Sequence, residues 1–426
     1  LLPIEWYPSD SRQNTDSKVN TMLIHELRSP AEAVDAAEVA LSAFGPNAVP
    51  MSWRECYERI VEEFGHEVFL VAEEDGRLVS SLLCLPSVVW MEDREVTLGA
   101  VGSVATRPEY QRRGYAGALM CAVVRRMQES GIVLSALAPF SFRYYRKFGW
   151  ELVGEHRTYR FASDRIGSLP EPEGVAPMTP EDLSGIAAAA DAHGRRLALC
   201  THRSDDWWRG LLWFEGAPPF AQGERATTRM IVCREGDEVV GYAIYRPPAG
   251  EEQRANVREL VTLTPNARLH LLSALAQEGA AEIQFDAPRN DFFRTQVPEP
   301  RPIQTSLGAG FAFRVIDPGA ALESLSLPED LRGTCAFTIQ DPARPDAPLR
   351  VQADIAEGIV SAHSKSSSAA SHLSTDIATF SQMYAGYLRP ADAVWLGRLD
   401  GDSASVAFAE RLFPRWVAFR SSLEPG

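Results

Sequence analysis

The chain has 426 residues, 45% of them apolar and 23% charged, which is ordinary globular composition in a chain too long for one hydrophobic core. A formal net charge of −15 argues against general nucleic-acid binding, because such a surface repels phosphate backbones, and it is compatible with a cationic substrate. No apolar run reaches the length of about 18 residues that spans a membrane, and the six cysteines sit in apolar stretches without a CxxC pair, so they read as reduced core residues of a cytoplasmic protein.

Residues 1–21 lack the basic-then-apolar pattern of a signal peptide and read as a leader or flexible extension, with Met22 as the natural start. MLIHEL then predicts a short strand. PAEAVDAAEVALSAF has helical spacing, with Val34, Ala37, Leu41 and Phe44 on one face, and Gly45-Pro46-Asn47 ends it. SWRECYERIVEEFG predicts a second helix stopped by Gly65. VFLVAEEDGRLVSSLLCLPSVVW reads as two strands joined by a tight Asp75-Gly76 turn. LGAVGSVAT is a strand of small and β-branched residues ending at Thr106. The loop RPEYQRRGYAG follows it, then a helix from about Gly114 to Glu129 whose apolar face carries Leu119, Val123 and Met127. IVLSALAP is a buried strand, and FRYYRKFGWELV a short helix, a stop at Gly149 and a strand.

A weaker copy of this order comes later. RMIVCREGDEVVGYAIYRPP repeats the strand–turn–strand pattern, and NVRELVTLTPNARLHLLSALAQEG repeats strand, proline and helix without the glycines and paired arginines. An internal duplication explains this, with a second copy that has lost its loop chemistry. EPEGVAP, residues 171–177, reads as a linker. From FAFRVIDPGAALESL onward come strands (TCAFTIQD, LRVQADI), a Ser/Ala-rich stretch and the helical pattern TDIATFSQMYAGYL, with no constellation of chemical residues. His193, His202 and the pair Asp205-Asp206 do not have metal-ligand spacing, so no metal is expected.

The loop after Thr106 carries the chemistry. A helix N-terminus has unsatisfied N–H groups and a partial positive charge. Glycines let the backbone approach an anion closely. Arg112 and Arg113 add charge, and each charge-assisted hydrogen bond is worth roughly 1.5–3 kcal/mol. The segment therefore reads as a diphosphate cradle. It is not a Walker A loop, since Ala118-Leu119 follow the last glycine, and it lacks the full glycine pattern of a dinucleotide fingerprint.

Gln111-Arg112-Arg113-Gly114-Tyr115-Ala116, followed by Gly117, resembles the acetyl-CoA signature Q/R-x-x-G-x-G/A of the GNAT acetyltransferases. The resemblance implies that the backbone of Val104, Ala105 and Thr106 pairs with the pantetheine arm of acetyl-CoA. Tyr145-Arg146-Lys147-Phe148-Gly149-Trp150 is similar to the family's second signature, with Trp for Phe, and makes Tyr145 the expected acid for the leaving thiolate. The alternative role for Tyr145 is a core aromatic. The whole layout resembles the Eis acetyltransferases, which N-acetylate aminoglycosides at several amines as hexamers. It implies an α+β chain of two GNAT-type mixed-sheet domains, the second degenerate, followed by a sterol-carrier-like α/β domain. The expected spans are 22–165, 170–305 and 312–426, with the tail of the last returning to the active site.

The same resemblance implies that the carboxylate of Gly426 is the base, with Glu424 as a fallback, although SSLEPG replaces the aromatic ending typical of the family. It also makes Trp53 a pocket tryptophan, the alternative being a residue packed on the core. Trp207, Trp208 and Trp213 either close a pocket or fill a helical core. The acidic residue that the family places before the Gly-Pro turn is replaced by Ser42-Ala43-Phe44. The expected activity is acetyl transfer to an amine of a cationic small molecule such as an aminoglycoside. A protein lysine or a polyamine is the alternative acceptor, and a non-enzymatic CoA- or lipid-binding carrier is the alternative class.

Overall fold

The computed structural model describes residues 22–46, 49, 51–217, 227–248, 253–364, 371–413 and 415–424. These fall into two compact units, one of residues 22–87 and 97–138, the other of residues 88–96 and 139–424.

The first unit contains β1 (Leu23–Glu26), α1 (Glu32–Phe44), α2 (Trp53–Phe64), β2 (Phe69–Glu74), most of β3 (Arg77–Met91) and β4 (Arg94–Thr106), α3 (Tyr115–Glu129) and β5 (Leu134–Leu137). The sheet runs β1-β2-β3-β4-β5. β1, β2 and β3 pair antiparallel, whereas β4 and β5 are parallel. A parallel pair needs a crossover, and α3 supplies it, burying Leu119, Val123 and Met127 as their spacing predicted. Ser52 caps α2 by accepting a hydrogen bond from the Glu55 N–H.

The buried face of α1 differs from the predicted one. Ala33, Ala36, Ala37, Val39 and Ala40 are buried, while Leu41 and Phe44 are more than 40% exposed. An alanine stripe lets the helix approach its neighbours closely, and that outranks the larger side chains one face over.

The second unit continues with α4 (Phe142–Tyr145), β6 (Glu151–Val153), β7 (His156–Ala162), β8 (Val175–Pro177), α5 (Leu183–Gly194), β9 (Ala198–His202) and α6 (Asp205–Phe214). It then adds β10 (Arg229–Glu235), β11 (Glu238–Arg246), β12 (Arg254–Thr262), α7 (Pro265–Gln277), β13 (Glu282–Pro288) and β14 (Gln304–Gly308). A sheet of order β14-β7-β13-β12-β11-β10-β8 holds this half together. Hairpin β10–β11, then β12, α7 and β13 repeat the order hairpin β2–β3, β4, α3, β5, and in both copies the last two strands are parallel. The duplicated pattern in the sequence is thus a duplicated topology. Part of the expected linker 171–177 is ordered as strand: β8 pairs with β10 at the sheet edge. Trp208 is completely buried edge-on to Tyr242 and so fills the core.

The end of β3, Val88–Met91, pairs with β9. β15 (Phe311–Val315) pairs antiparallel with β6. After it come α8 (Pro318–Glu323), β16 (Gly333–Gln340), β17 (Leu349–Ala356), β18 (Ile359–His363), β19 (Ser371–Asp376), α9 (Ile377–Tyr384), α10 (Pro390–Trp395), β20 (Leu399–Asp400) and α11 (Ser403–Leu412). Their sheet is ordered β18-β17-β16-β19-β20, and Phe337, Phe380 and Phe413 pack together in its core. Among the described residues no helix is long and apolar enough to cross a membrane.

Candidate functional site

In the first unit the pairing of β4 with β5 ends at Ala100 and Ala136. Val104, Ala105 and Thr106 therefore run on past the end of β5. Ser103 adopts φ +52°, which kinks β4 just before them, and its hydroxyl bonds the Tyr57 hydroxyl at 2.8 Å. The other edge of this segment is fixed: Ser80 donates to the Ala105 carbonyl at 2.6 Å, and the Arg107 N–H to the Val79 carbonyl at 2.9 Å. A strand edge held on one side and, among the described residues, unpaired on the other suits an extended, amide-bearing ligand.

The chain then makes one turn at Pro108–Tyr110 and passes Gln111. Arg112 has φ +63° and Gly114 φ +94°, so two left-handed residues flank Arg113. Alternation of this kind turns successive N–H groups inward as an anion-binding concavity, and a side chain at position 114 would be strained. Gly114 is the N-cap of α3 and brings no side-chain cap, so the first N–H groups, at Tyr115, Ala116 and Gly117, are left for a ligand. The predicted cradle residues are thus together on one strand end, one loop and one helix start.

Tyr145 belongs to the second unit. Ser141 caps the short α4, and the chain tightens through Arg146–Phe148 to Gly149, whose φ is +87°. Tyr145 is 3% exposed, and no described residue bonds its hydroxyl. Burial pushes its pKa above the usual tyrosine value, with Tyr144 adding to the effect. Phe140, an exposed ring, packs edge-on at 5.3 Å.

The turn beneath Tyr145 is held from β15. Arg314 and Asp341 form a completely buried ion pair at 2.7 Å. The same guanidinium donates to the Phe148 carbonyl and lies 5.4 Å from the Trp150 ring. A methyl at Gly149 would collide with it. Arg146 clasps Glu151 through three contacts of 2.7–2.9 Å. Sequence reasoning missed Arg314, because nothing local marks an arginine whose partners lie far away in the chain.

Trp53 starts α2 with its indole N–H given to the Gly45 carbonyl at 2.8 Å and its ring stacked on Phe44 at 5.5 Å. It is 8% exposed, and Phe44 is the accessible ring of the pair. Gly426 lies outside the described residues. The Glu424 side chain is 5% exposed and is engaged by Arg203 at 2.9 Å, by Arg420 at 3.6 Å and by the Thr201 N–H and hydroxyl. Arg203 also holds Glu259 bidentately at 2.7 and 2.8 Å. This buried cluster clamps residues 421–424 onto β9 and β12 and leaves Glu424 without the free lone pair of a base. Cys121 is exposed and the other five cysteines are buried, so the expectation of six core thiols is corrected at one position on the outer side of α3. Among the described residues no group of three His, Cys, Asp or Glu is arranged to hold a metal.

Residues 27–153 match the model of one GNAT acetyltransferase-domain family, residues 199–315 that of another, and residues 318–419 the sterol carrier protein domain. The chain therefore belongs to the GNAT acetyltransferases and is an acyltransferase, a class whose co-substrate is acetyl-CoA. Its tandem GNAT domains with a carrier-like domain behind them are the Eis-type architecture. The solved structure of Eis1 from Mycobacterium abscessus matches 93% of this chain and 98% of its own, with TM-score 0.72 and 20% identity. A GCN5-related N-acetyltransferase from Anabaena variabilis matches 94% and 99%, with TM-score 0.80 and 18% identity. One from Kribbella flavida matches 95% and 98%, with TM-score 0.77 and 20% identity. At such identities the likeness establishes a shared fold. No curated protein matches the chain in sequence.

Proposed function

We propose that this acyltransferase moves the acetyl group of acetyl-CoA to an amine of a cationic small molecule, such as an aminoglycoside, by direct attack of the amine on the thioester. The observation that carries the reading is the loop itself, an open strand edge, two left-handed residues and an uncapped helix start within Val104–Gly117. The formal charge of −15 favours a cationic acceptor.

Acetyl-CoA supplies an activated acyl group. Val104, Ala105 and Thr106 offer backbone partners to its pantetheine arm. The N–H groups from Arg113 to Gly117, with Arg112, face its diphosphate. Tyr145 serves the leaving sulfur. With ordinary pKa values of about 10 for tyrosine and about 8.5 for a thiol, full proton transfer is uphill by roughly 2 kcal/mol. Burial raises the tyrosine further, so Tyr145 stays neutral and acts by donating a hydrogen bond to the developing charge. Phe44, backed by Trp53, offers an apolar ring to the acceptor. The cytoplasmic setting and the hexamer expected from the resemblance belong to the same proposal, and sedimentation velocity tests the latter.

The test of the acceptor class is thiol release from acetyl-CoA with aminoglycosides, polyamines and lysine peptides. Turnover at several amines of an aminoglycoside supports the reading. Turnover confined to lysine peptides or polyamines replaces the acceptor, and acetyl-CoA binding without turnover on any amine contradicts the proposal.

A further inference from the structure

The two adjacent arginines of the loop are equivalent in the sequence but not in the structure. Arg113 is drawn back: its guanidinium lies 5.0 Å from the Tyr110 ring centroid and 3.9 Å from the Glu74 carboxylate. Glu74 ends β2 and is only 7% exposed, an unusual place for a carboxylate unless it has partners. It accepts a hydrogen bond from the Tyr115 hydroxyl, and burial together with Glu74 pushes that phenol up to about 12. Tyr110 and Tyr115 meet edge-on at 6.0 Å. Arg77, at the start of β3, approaches the Tyr110 ring at 5.9 Å and pairs with Glu109 at 3.3 Å. The β2–β3 hairpin thus braces both ends of the loop.

Arg107 is committed as well. Its side chain donates to the Leu78 carbonyl at 2.9 Å and reaches Glu38 at 3.6 Å. Arg112 is different. Like Arg113 it is exposed, but it sits in the left-handed conformation between the two braced ends and has no partner among the described residues.

We propose that Glu74 is a positioning residue that holds Arg113 and Tyr115 so that the loop keeps its shape, which leaves Arg112 as the loop arginine for the diphosphate of the acyl donor. The inference rests on the reading of this loop as a CoA site. It divides one sequence motif into a contact residue and a brace anchored on a different strand. Loss of the contact removes a charge-assisted hydrogen bond, and loss of the brace leaves the N–H groups to be ordered by the ligand itself.

Calorimetric titration with CoA tests it on wild type and on Arg112→Gln, Arg113→Gln, Glu74→Gln and Tyr115→Phe, together with the KM for acetyl-pantetheine, which lacks the diphosphate. Arg112→Gln is expected to weaken CoA binding by about tenfold or more. Glu74→Gln and Arg113→Gln each weaken it several-fold, and their combination is no worse than the larger single change, because both break one brace. Arg112→Gln adds to Glu74→Gln. The KM for acetyl-pantetheine shifts far less than the Kd of CoA in each of them, a split that a general loss of fold does not produce. Tyr115→Phe deletes one hydroxyl and keeps the ring, so it repeats the Glu74 test in a variant that folds. CoA binding that is unchanged or tighter in Glu74→Gln and Tyr115→Phe overturns the brace. An Arg113→Gln loss as large as that of Arg112→Gln, and additive with Glu74→Gln, overturns the division of labour. Wild-type protein that binds no CoA overturns the reading of the loop and this inference with it.

Discussion

Arg203→Met removes the cation at the centre of the cluster that clamps residues 421–424. The Arg203 side chain is 3% exposed, and those of its two partners Glu259 and Glu424 are 6% and 5%. Without it two buried carboxylates face each other, with Arg420 3.6 Å from one of them. Breaking a buried pair by removing one partner costs about 3–5 kcal/mol. At about 2–4 °C per kcal/mol for a domain of this size, the melting transition of the second unit falls by roughly 6–20 °C. The pH dependence has a definite sign. Burial pushes the Glu259 carboxyl up, but the charge and hydrogen bonds of Arg203, with those of Ser421 and Tyr242, hold it below the usual carboxylate range. A carboxyl so held stabilises the fold above its unfolded value of about 4.3 and loses that contribution as the pH falls through the folded value. In the variant the hydrogen bonds from Ser421 and Tyr242 remain but the charge of Arg203 is gone, so burial, the largest effect, prevails and Glu259 rises above its unfolded value; the penalty then grows as the pH rises past about 4.3. Scanning calorimetry at several pH values between about 4.5 and 7.5 measures the difference from wild type. A deficit that grows toward neutral pH is expected. A loss below about 1 kcal/mol at neutral pH, or one that is flat with pH, refutes the reasoning.

Arg314→Met leaves Asp341 buried without its counter-charge and removes the bond to the Phe148 carbonyl, so calorimetry should show a loss of about 3–5 kcal/mol. Gly149→Ala places a methyl against Arg314 and Ile377 at φ +87° and should cost at least about 1–2 kcal/mol, with a fall in kcat because the turn carries Tyr145. Titration of native protein with a thiol reagent should modify about one cysteine per chain, and peptide mapping should place it at Cys121, the exposed thiol among six.

Local chemistry made much of the first unit legible. Asp75-Gly76 sets the hairpin, Gly65 stops α2, and the spacing of Leu119, Val123 and Met127 gives the buried face of α3. The loop proposed as the cradle was legible for the same reason: a glycine turn into a helix start is built from consecutive residues. What the sequence hid are partners far apart in the chain. The strand 156–162 follows the first copy directly, yet it pairs with β13 and β14 more than a hundred residues on. Glu74 looks like any hairpin-end carboxylate until its burial beside Tyr115 is seen. Arg203 and Arg314 carry no local sign of burial, because their counter-charges are 56 and 27 residues away. Glu424 read as a spare base, whereas its carboxylate is already spent on two arginines.

The most direct test of acetyl transfer through this site is a paired measurement on Tyr145→Phe, with CoA binding by calorimetry and turnover of acetyl-CoA with the best acceptor. The account predicts an unchanged Kd for CoA and a kcat lower by about 10²–10³, the usual contribution of one hydrogen-bond donor to a developing charge. Unchanged turnover contradicts the role of Tyr145, and CoA binding lost together with turnover reduces it to a packing residue.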